Sequence, residues 1–285
     1  MTSIAITGTS GFLGANVKKL FEIKGYVVTS LPNISLYHSL EHWKSDVESI
    51  LDLVKPDAII NIAAAQNGGD YFSDICSLTN SNVIMPAFFA SYMQANNQDG
   101  QLLTIATSWQ FDQFGNYKPF NLYSASKQAA DDYLKHYALN GLKITSLFLF
   151  YTFSEFDNRK KIHNLIRNAL KNKEVLEMTG GDQLINMIHV SDAANAILTA
   201  FEQRNIDNQI KMGFRQWAIK SAHTIQVKNL LDFINNKNLL EYIRLGKRPY
   251  RDREIFIIHD QFEIVPNWVP QVDVYQCIKS IINNE

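Results

Sequence analysis

A glycine triplet near the start of the chain narrows the fold more than any other feature. Gly8-Thr9-Ser10-Gly11-Phe12-Leu13-Gly14 follows a short β-favouring run, Ser3 to Thr7. It opens a helix-like stretch, Gly11 to Lys24, in which Phe12, Leu13, Val17, Leu20 and Phe21 recur on one face. The strand–turn–helix context lifts a glycine triplet above a chance match. The first glycine lets the chain turn sharply, the second admits a pyrophosphate close to the backbone, and the third lets helix and strand pack. The amides at the helix N-terminus then face the phosphates.

Alternation continues downstream. Tyr26 to Leu31 reads as a strand, Trp43 to Lys55 as a helix ending at Pro56, and Asp57 to Ala65 as an apolar strand. Asn82 to Asn96 reads as a helix, Leu102 to Ala106 as a strand, Ser124 to Tyr137 as a helix and Lys143 to Phe150 as a strand. Such a series predicts an α/β fold, a Rossmann-type doubly wound parallel sheet with right-handed crossovers. After Phe150 the pattern changes, and a smaller C-terminal substrate-binding lobe is expected. The division expected is 1–153 plus about 186–203 for the dinucleotide domain, and about 154–185 with 204–285 for the lobe. In the returning unit, Asp192 is expected to cap a helix and His189 to be a core histidine. Asn67-Gly68-Gly69-Asp70, after the third strand, is expected to border the crevice.

With 285 residues and 46% hydrophobic content, the chain is long enough for one large α/β domain with an appended lobe. Net charge is −1 and no basic run occurs, so neither nucleic acid nor a membrane surface is expected as partner. No apolar run is long enough to span a bilayer. The two cysteines, Cys76 and Cys277, have no metal spacing and read as reduced thiols in a cytoplasmic protein. No metal is expected.

The second informative motif is Tyr123-Ser124-Ala125-Ser126-Lys127, preceded by Thr107-Ser108. Tyr123 and Lys127 stand four apart and share a helical face. A nearby ammonium lowers a phenol pKa, which suits Tyr123 to proton transfer. A hydroxyl from Ser108 would hold the substrate oxygen. Thr107 reads as a strand-end hydroxyl bonded to backbone.

The phosphate turn with Phe12-Leu13 inside, followed by Tyr123-x-x-x-Lys127, resembles the extended short-chain dehydrogenase/reductase superfamily of nucleotide-sugar epimerases, dehydratases and ketoreductases. The resemblance implies catalysis by Ser108, Tyr123 and Lys127. Expected cofactor contacts are Gly8, Ser10, Gly11, Phe12, Leu13 and Gly14 of the turn, with Tyr123 and Lys127. Asn33, Ala63, Ala64 and Asn82 complete that set, Asn82 as support for the active-site geometry. Thr29-Ser30-Leu31-Pro32-Asn33 lacks both the acid that binds a ribose hydroxyl and an arginine for a 2′-phosphate. Without the acid nothing repels a 2′-phosphate, so NADP(H) is favoured over NAD(H). In the family's 4,6-dehydratases an Asp-Glu pair follows the hydroxyl residue. Trp109 and Gln110 stand there instead, and neither ionises for that chemistry.

Thr107-Ser108-Trp109-Gln110, Asn121-Leu122-Tyr123-x-x-x-Lys127-Gln128, Leu149-Phe150-x-Thr152 and Arg251-x-Arg253-Glu254 resemble a narrower group, the CDP-abequose and CDP-paratose synthases. These reduce the 4-keto group of a CDP-3,6-dideoxyhexulose. That resemblance implies NAD(P)H-dependent 4-ketoreduction of a nucleotide sugar in deoxysugar and O-antigen biosynthesis. The alternative is a 4-epimerase with tightly bound NAD, which needs the same residues. Expected substrate contacts are Ser108, Trp109, Gln110, Arg159, Lys161 and Arg253, the cations serving a pyrophosphate. The family commonly has Gly-Pro where Ser154-Glu155 stand. A homodimer through the two long helices is also implied.

Overall fold

The computed structural model describes residues 1–66, 71–206, 213–234 and 239–283. The N-terminal part runs β1 (Ser3–Thr7), α1 (Phe12–Ile23), β2 (Val27–Leu31), α2 (Leu40–Val54), β3 (Ala58–Asn61), α3 (Phe72–Thr79), α4 (Met85–Asn96), β4 (Gln101–Thr107), α5 (Leu122–Leu139) and β5 (Lys143–Leu149). It continues with β6 (Tyr151–Phe153), α6 (Ile162–Asn172), β7 (Leu176–Glu177), β8 (Leu184–Ile185), β9 (Met187–His189) and α7 (Val190–Ile206). The tail holds β10 (Phe214–Ile219), β11 (Ile225–Gln226), α8 (Val227–Ile234), α9 (Leu239–Tyr242), β12 (Ile243–Arg244) and α10 (Val274–Asn283).

Six strands form one sheet in the order β10-β5-β4-β3-β1-β2, every neighbouring pair parallel. The strands read as continuous apolar runs because both faces are covered. On one face α1 and α7 pack Val17, Phe21, Ile197 and Phe201 against Ile4, Ile6 and Ile60. On the other, α2, α4 and α5 pack Trp43, Val47, Phe89 and Leu134 against Ala5, Ile59 and Ile144. Each fully buried Phe or Leu here contributes about 1.5–3 kcal/mol by leaving water. The chain goes from β1 outward to β2, then returns to the far side of β1 as β3. This reversal opens a crevice at the carboxyl ends of β1 and β3.

Several elements differ from their expected form. β3 stops at Asn61, not Ala65, because the backbone beyond it turns to meet the glycine turn: Thr7 Oγ1 accepts from Ile62 N and Ala63 N, each at 3.0 Å. Helix begins ten residues before Asn82, at Phe72, and passes through one π-helical turn, Asn80–Ile84, before α4. The sixth strand of the main sheet is β10, which pairs with β5 and was expected within the lobe. The strand at Met187–His189 instead pairs with β6 in a separate two-stranded sheet, while α7 does return to cover the main sheet. Asp192 lies inside the first turn of α7 and accepts from Val272 N at 2.9 Å, tying the tail to this helix rather than capping it. The segment Asn67-Gly68-Gly69-Asp70 lies outside the described residues. No helix among the described residues is long and apolar enough to cross a membrane.

The lobe has its own core, in which Phe153, Ile166, Leu230, Ile234, Ile278 and Ile281 meet. Its residues Leu184, Ile185 and Val227 line one cavity with Ile62, Thr107 and Leu149 at the carboxyl ends of the strands.

Candidate active site

The glycine turn has little room. Gly8 adopts φ +72°, and a Cβ there would lie 2.8 Å from Ala63 N. A Cβ at Gly14 would collide with the Gly8 carbonyl oxygen, so β1 and α1 pack only with glycine at that point. Gly11 N donates to Gly8 O at 2.9 Å and closes the turn. Gly11 is also the N-cap of α1, and no side chain caps the helix; its first turn carries no acid. Backbone amides at this end therefore have donors to offer an anion. The turn, backed by buried Thr7 and Asn61 joined at 2.8 Å, fits a dinucleotide pyrophosphate.

A cavity of about 740 Å³ begins at this turn. Its wall includes Gly8, Ser10, Gly11, Phe12, Leu13 and Gly14, then Asn33, Ala63 and Ala64. It passes Ser108, Trp109, Tyr123 and Lys127, and reaches Arg159, Lys161 and Arg251. Dinucleotide turn, hydroxyl set and cations thus share one chamber.

Ser108 opens a single 3₁₀ turn, Ser108–Gln110, at the end of β4. The turn is locked from both sides: Thr107 Oγ1 accepts from Trp109 N at 3.4 Å, and Thr107 N donates to Gln110 Oε1 at 3.0 Å. Thr107 thus has the strand-end role expected of it. Gln110 differs. It is fully buried, donates from Nε2 to Gln128 Oε1 at 2.9 Å, and does not line the cavity. Trp109 does line it, half-exposed and tilted against Phe120 at 5.2 Å between centroids.

Asn121 sets the start of α5: its Oδ1 accepts from Ser124 N, and Ser124 Oγ accepts from Asn121 N, each at 3.0 Å. This capping box places Tyr123 in the first turn of α5 and Lys127 one turn later. Lys127 Nζ lies 5.9 Å from the Tyr123 ring centroid. Burial pushes the Tyr123 phenol up to about 12, opposed only in part by a hydrogen bond with Gln66. Burial also pulls the Lys127 ammonium down to about 8, opposed by the negative charge of Asp131. Desolvation therefore sets the phenol above its ordinary value, against the lowering expected of it.

Asn82 does not reach the cavity wall. From the π-helical turn it binds Ala65 N and Ala65 O, each at 3.0 Å, and donates to Ser126 Oγ at 2.9 Å. It joins the chain beyond β3 to α5.

Arg159 lines the cavity but spends most of its donors within the chain. Nε and Nη2 grip the Asp157 carboxylate at 2.9 and 2.7 Å, and Nη2 also donates to Thr152 O at 2.9 Å. Its guanidinium stacks on Phe12 of the glycine turn, 3.9 Å from the centroid. Lys161 extends over the Tyr151 ring at 4.6 Å, and burial holds its ammonium below the usual lysine range. In the tail, Arg251 lines the cavity and Arg253 does not; Arg253 reaches back to Pro119 O at 3.5 Å. Sequence reasoning passed over His259, which lines the cavity and donates from Nε2 to Ser108 O at 3.3 Å.

The doubly wound sheet, the phosphate turn and the Ser108–Tyr123–Lys127 set define an NAD(P)-dependent oxidoreductase. Comparison with known proteins gives the family. Residues 4–213 match the NAD dependent epimerase/dehydratase family, and the chain belongs to it. A CDP-abequose synthase of Yersinia pseudotuberculosis is 27% identical over 266 residues, covering 88% of this chain and 90% of that one. A dTDP-4-dehydrorhamnose reductase of Aggregatibacter actinomycetemcomitans is 26% identical over 273 residues, covering 87% and 89%. Among solved structures, a UDP-glucose 4-epimerase of Thermotoga maritima with UDP-glucose superposes with TM-score 0.78 at 17% identity, covering 99% and 97%. The chain is of the type that modifies nucleotide-linked sugars.

Proposed function

We propose that this chain performs redox chemistry at C4 of a nucleotide-linked hexose, with Tyr123 as the group that moves the proton. The observation that carries this reading is the single cavity in which the glycine turn, Ser108, Tyr123, Lys127, Lys161 and Arg251 all meet. A nicotinamide dinucleotide held at the glycine turn would supply or accept the hydride. Ser108 donates a hydrogen bond to the C4 oxygen and stabilises charge developing there. Tyr123 exchanges its hydroxyl proton with the same oxygen. Lys127 would hold a ribose hydroxyl of the cofactor and offset charge that develops on the phenol. Lys161 and Arg251 meet the substrate pyrophosphate, with Arg159 fixing the seam between turn and lobe. Trp109 covers the sugar. Trp109 and Gln110, which follow the hydroxyl residue, supply no acid–base pair for dehydration.

Two outcomes use these residues. The comparisons back 4-epimerisation with tightly held NAD more widely, since the solved 4-epimerase matches along nearly the whole of both chains. Net reduction of a 4-keto group, in a CDP-linked deoxyhexulose, is favoured by the likeness to the CDP-abequose synthase. It is also favoured by the end of β2, where Asn33 stands in the wall without an acid and suits an exchanging NADPH. A homodimer is proposed through α4 and α5; on α5, Tyr133 and Leu139 are exposed side chains.

The test is oxidation of NADPH and NADH with CDP-, dTDP-, UDP- and GDP-linked 4-keto-deoxy sugars. Stoichiometric oxidation establishes the ketoreductase. Retained NAD with interconversion of 4-hydroxyl epimers establishes the epimerase. Tyr123→Phe should lose ~10²–10⁴-fold in kcat in either case, and an unchanged rate would sink the mechanism.

A further inference from the structure

Three donor side chains of different chemistry meet outside the active-site cavity. Glu155 follows β6, His189 ends β9, and Cys277 lies on α10. One ligand atom from each lies within 4.8 Å of the other two. We propose that Glu155, His189 and Cys277 form a binding site for a zinc-like divalent cation that staples α10 to the edge of the lobe.

The donor set is carboxylate, imidazole and thiol, the set a borderline-soft cation prefers. His189 Nε2 lies 3.0 Å from Glu155 Oε2, and Cys277 Sγ lies 3.2 Å from Glu155 Oε1. Ligands around a tetrahedral zinc stand about 3–4 Å apart, so closing the cluster takes a shift of roughly an ångström. The other imidazole nitrogen is anchored: Nδ1 lies 2.7 Å from Ser191 Oγ and accepts from Ser191 N at 3.3 Å, contacts that fix the ring and aim Nε2 at the cluster; with a cation on Nε2, Nδ1 would carry the proton and donate to Ser191 Oγ.

The fold supplies the rest of the geometry. Phe153 and His189 are register partners of the β6–β9 pair, so the loop at Glu155 leaves directly beside the imidazole. Cys277 sits in the first turn of α10, where its N donates to Asp273 O at 3.0 Å. Asp273 adds negative charge beside the thiol. Glu155 is 47% exposed at its side chain and His189 13%, which leaves an open side for a water as fourth ligand. None of the three lines the catalytic cavity, and the proposal is independent of the reaction assigned above.

The test uses the full-length, untagged, reduced protein after chelator treatment. Zinc is titrated in competition with a chromophoric chelator, and cobalt(II) is added to read the thiolate-to-metal absorption in the near ultraviolet. One equivalent should bind, the cobalt band should appear, and the melting midpoint should rise with zinc concentration. Cys277→Ser should abolish the band. Glu155→Gln, half-exposed and so the safer variant for folding, should weaken zinc binding at least ~10-fold. Cys76→Ser, at an exposed cysteine elsewhere, should change neither. Absence of a saturable equivalent, or a band that survives Cys277→Ser in folded protein, would overturn the site and leave a hydrogen-bonded cluster only.

Discussion

Lys127 and Asp131 stand one helical turn apart on α5, both almost completely buried. Asp131 is held from the sheet: Ser146 Oγ donates to its Oδ1 at 2.8 Å, and Gln216 Nε2 reaches Oδ2 at 3.5 Å. Burial pushes this carboxyl up to about 6, despite Ser146, Gln110, Lys135 and Lys127, which all favour its charged form. Tyr123, Lys127 and Asp131 therefore form one stripe, with the carboxylate behind the ammonium and the ammonium behind the phenol.

The stripe makes a prediction about pH. Catalysis that needs both Asp131 and Lys127 charged should rise as pH passes about 6 and fall as it passes about 8. In Asp131→Asn the acid limb should vanish. Its alkaline limb should move to lower pH, because the charge that raises the lysine is gone. Only kcat should suffer, by ~10-fold or more, while substrate KM holds and Asp131→Glu restores the profile in part. A variant profile that overlays the wild type would remove Asp131 from the mechanism.

A different carboxylate should govern acid stability. The Asp157 side chain is fully buried and paired with Arg159, whose side chain is 35% exposed. Burial alone would raise its pKa, but hydrogen bonds from Arg159 and its charge leave it below the ordinary value. A depressed acid stabilises the fold above its unfolded pKa and loses that contribution as pH falls through its folded pKa. Asp157→Asn should therefore cost about 1–2 kcal/mol at pH 7, discounted for the solvent around Arg159. The difference from wild type should shrink as pH drops below the ordinary aspartate value of 3.8. Denaturant midpoints across pH check it; a constant gap would assign the loss to packing.

How much of this was legible beforehand depended on range. The glycine turn and the Tyr123–Lys127 face are local features: spacing within a few residues sets their geometry, and both line the cavity. Contacts distant in sequence were not legible. β10 pairs with β5 through a parallel register that no local periodicity reports. Gln110 and Trp109 are neighbours in sequence, yet a 3₁₀ turn sends one into the core and the other into the cavity. Arg251 and Arg253 are separated by one residue in an irregular segment, and only the first lines the cavity. His259 carried no signal at all, since its partner Ser108 is 151 residues away.

The glycine turn can be tested by volume. Gly14→Ala sets a methyl group against the Gly8 carbonyl, backbone that cannot swing aside. Overpacking of that kind costs ~1–3 kcal/mol, and the turn should open and lose cofactor affinity at least 10-fold by about the same energy. Gly11→Ala should be milder, since its Cβ would meet Gly8 O at 3.2 Å and nothing else nearby. Titration of reduced cofactor by nicotinamide fluorescence, with melting curves alongside, gives the order. Equal losses in the two variants would contradict the packing account.

Cofactor choice should turn on Asn33. Its side chain lines the cavity just beyond β2, and its Oδ1 accepts from Ser35 N at 3.2 Å to cap the turn Ile34–Leu36. Aspartate caps such a turn as well as asparagine does, so Asn33→Asp adds a charge with little structural cost. A carboxylate there accepts from a ribose 2′-hydroxyl and repels a 2′-phosphate. Two like charges near a protein surface oppose each other by ~1–4 kcal/mol at contact distances. The ratio of affinities for NADH over NADPH should therefore rise at least ~10-fold. Direct binding titrations of both cofactors read it without need of a substrate. A ratio that stays fixed would place the adenosine ribose away from Asn33 and remove the argument for NADPH that rests on the end of β2.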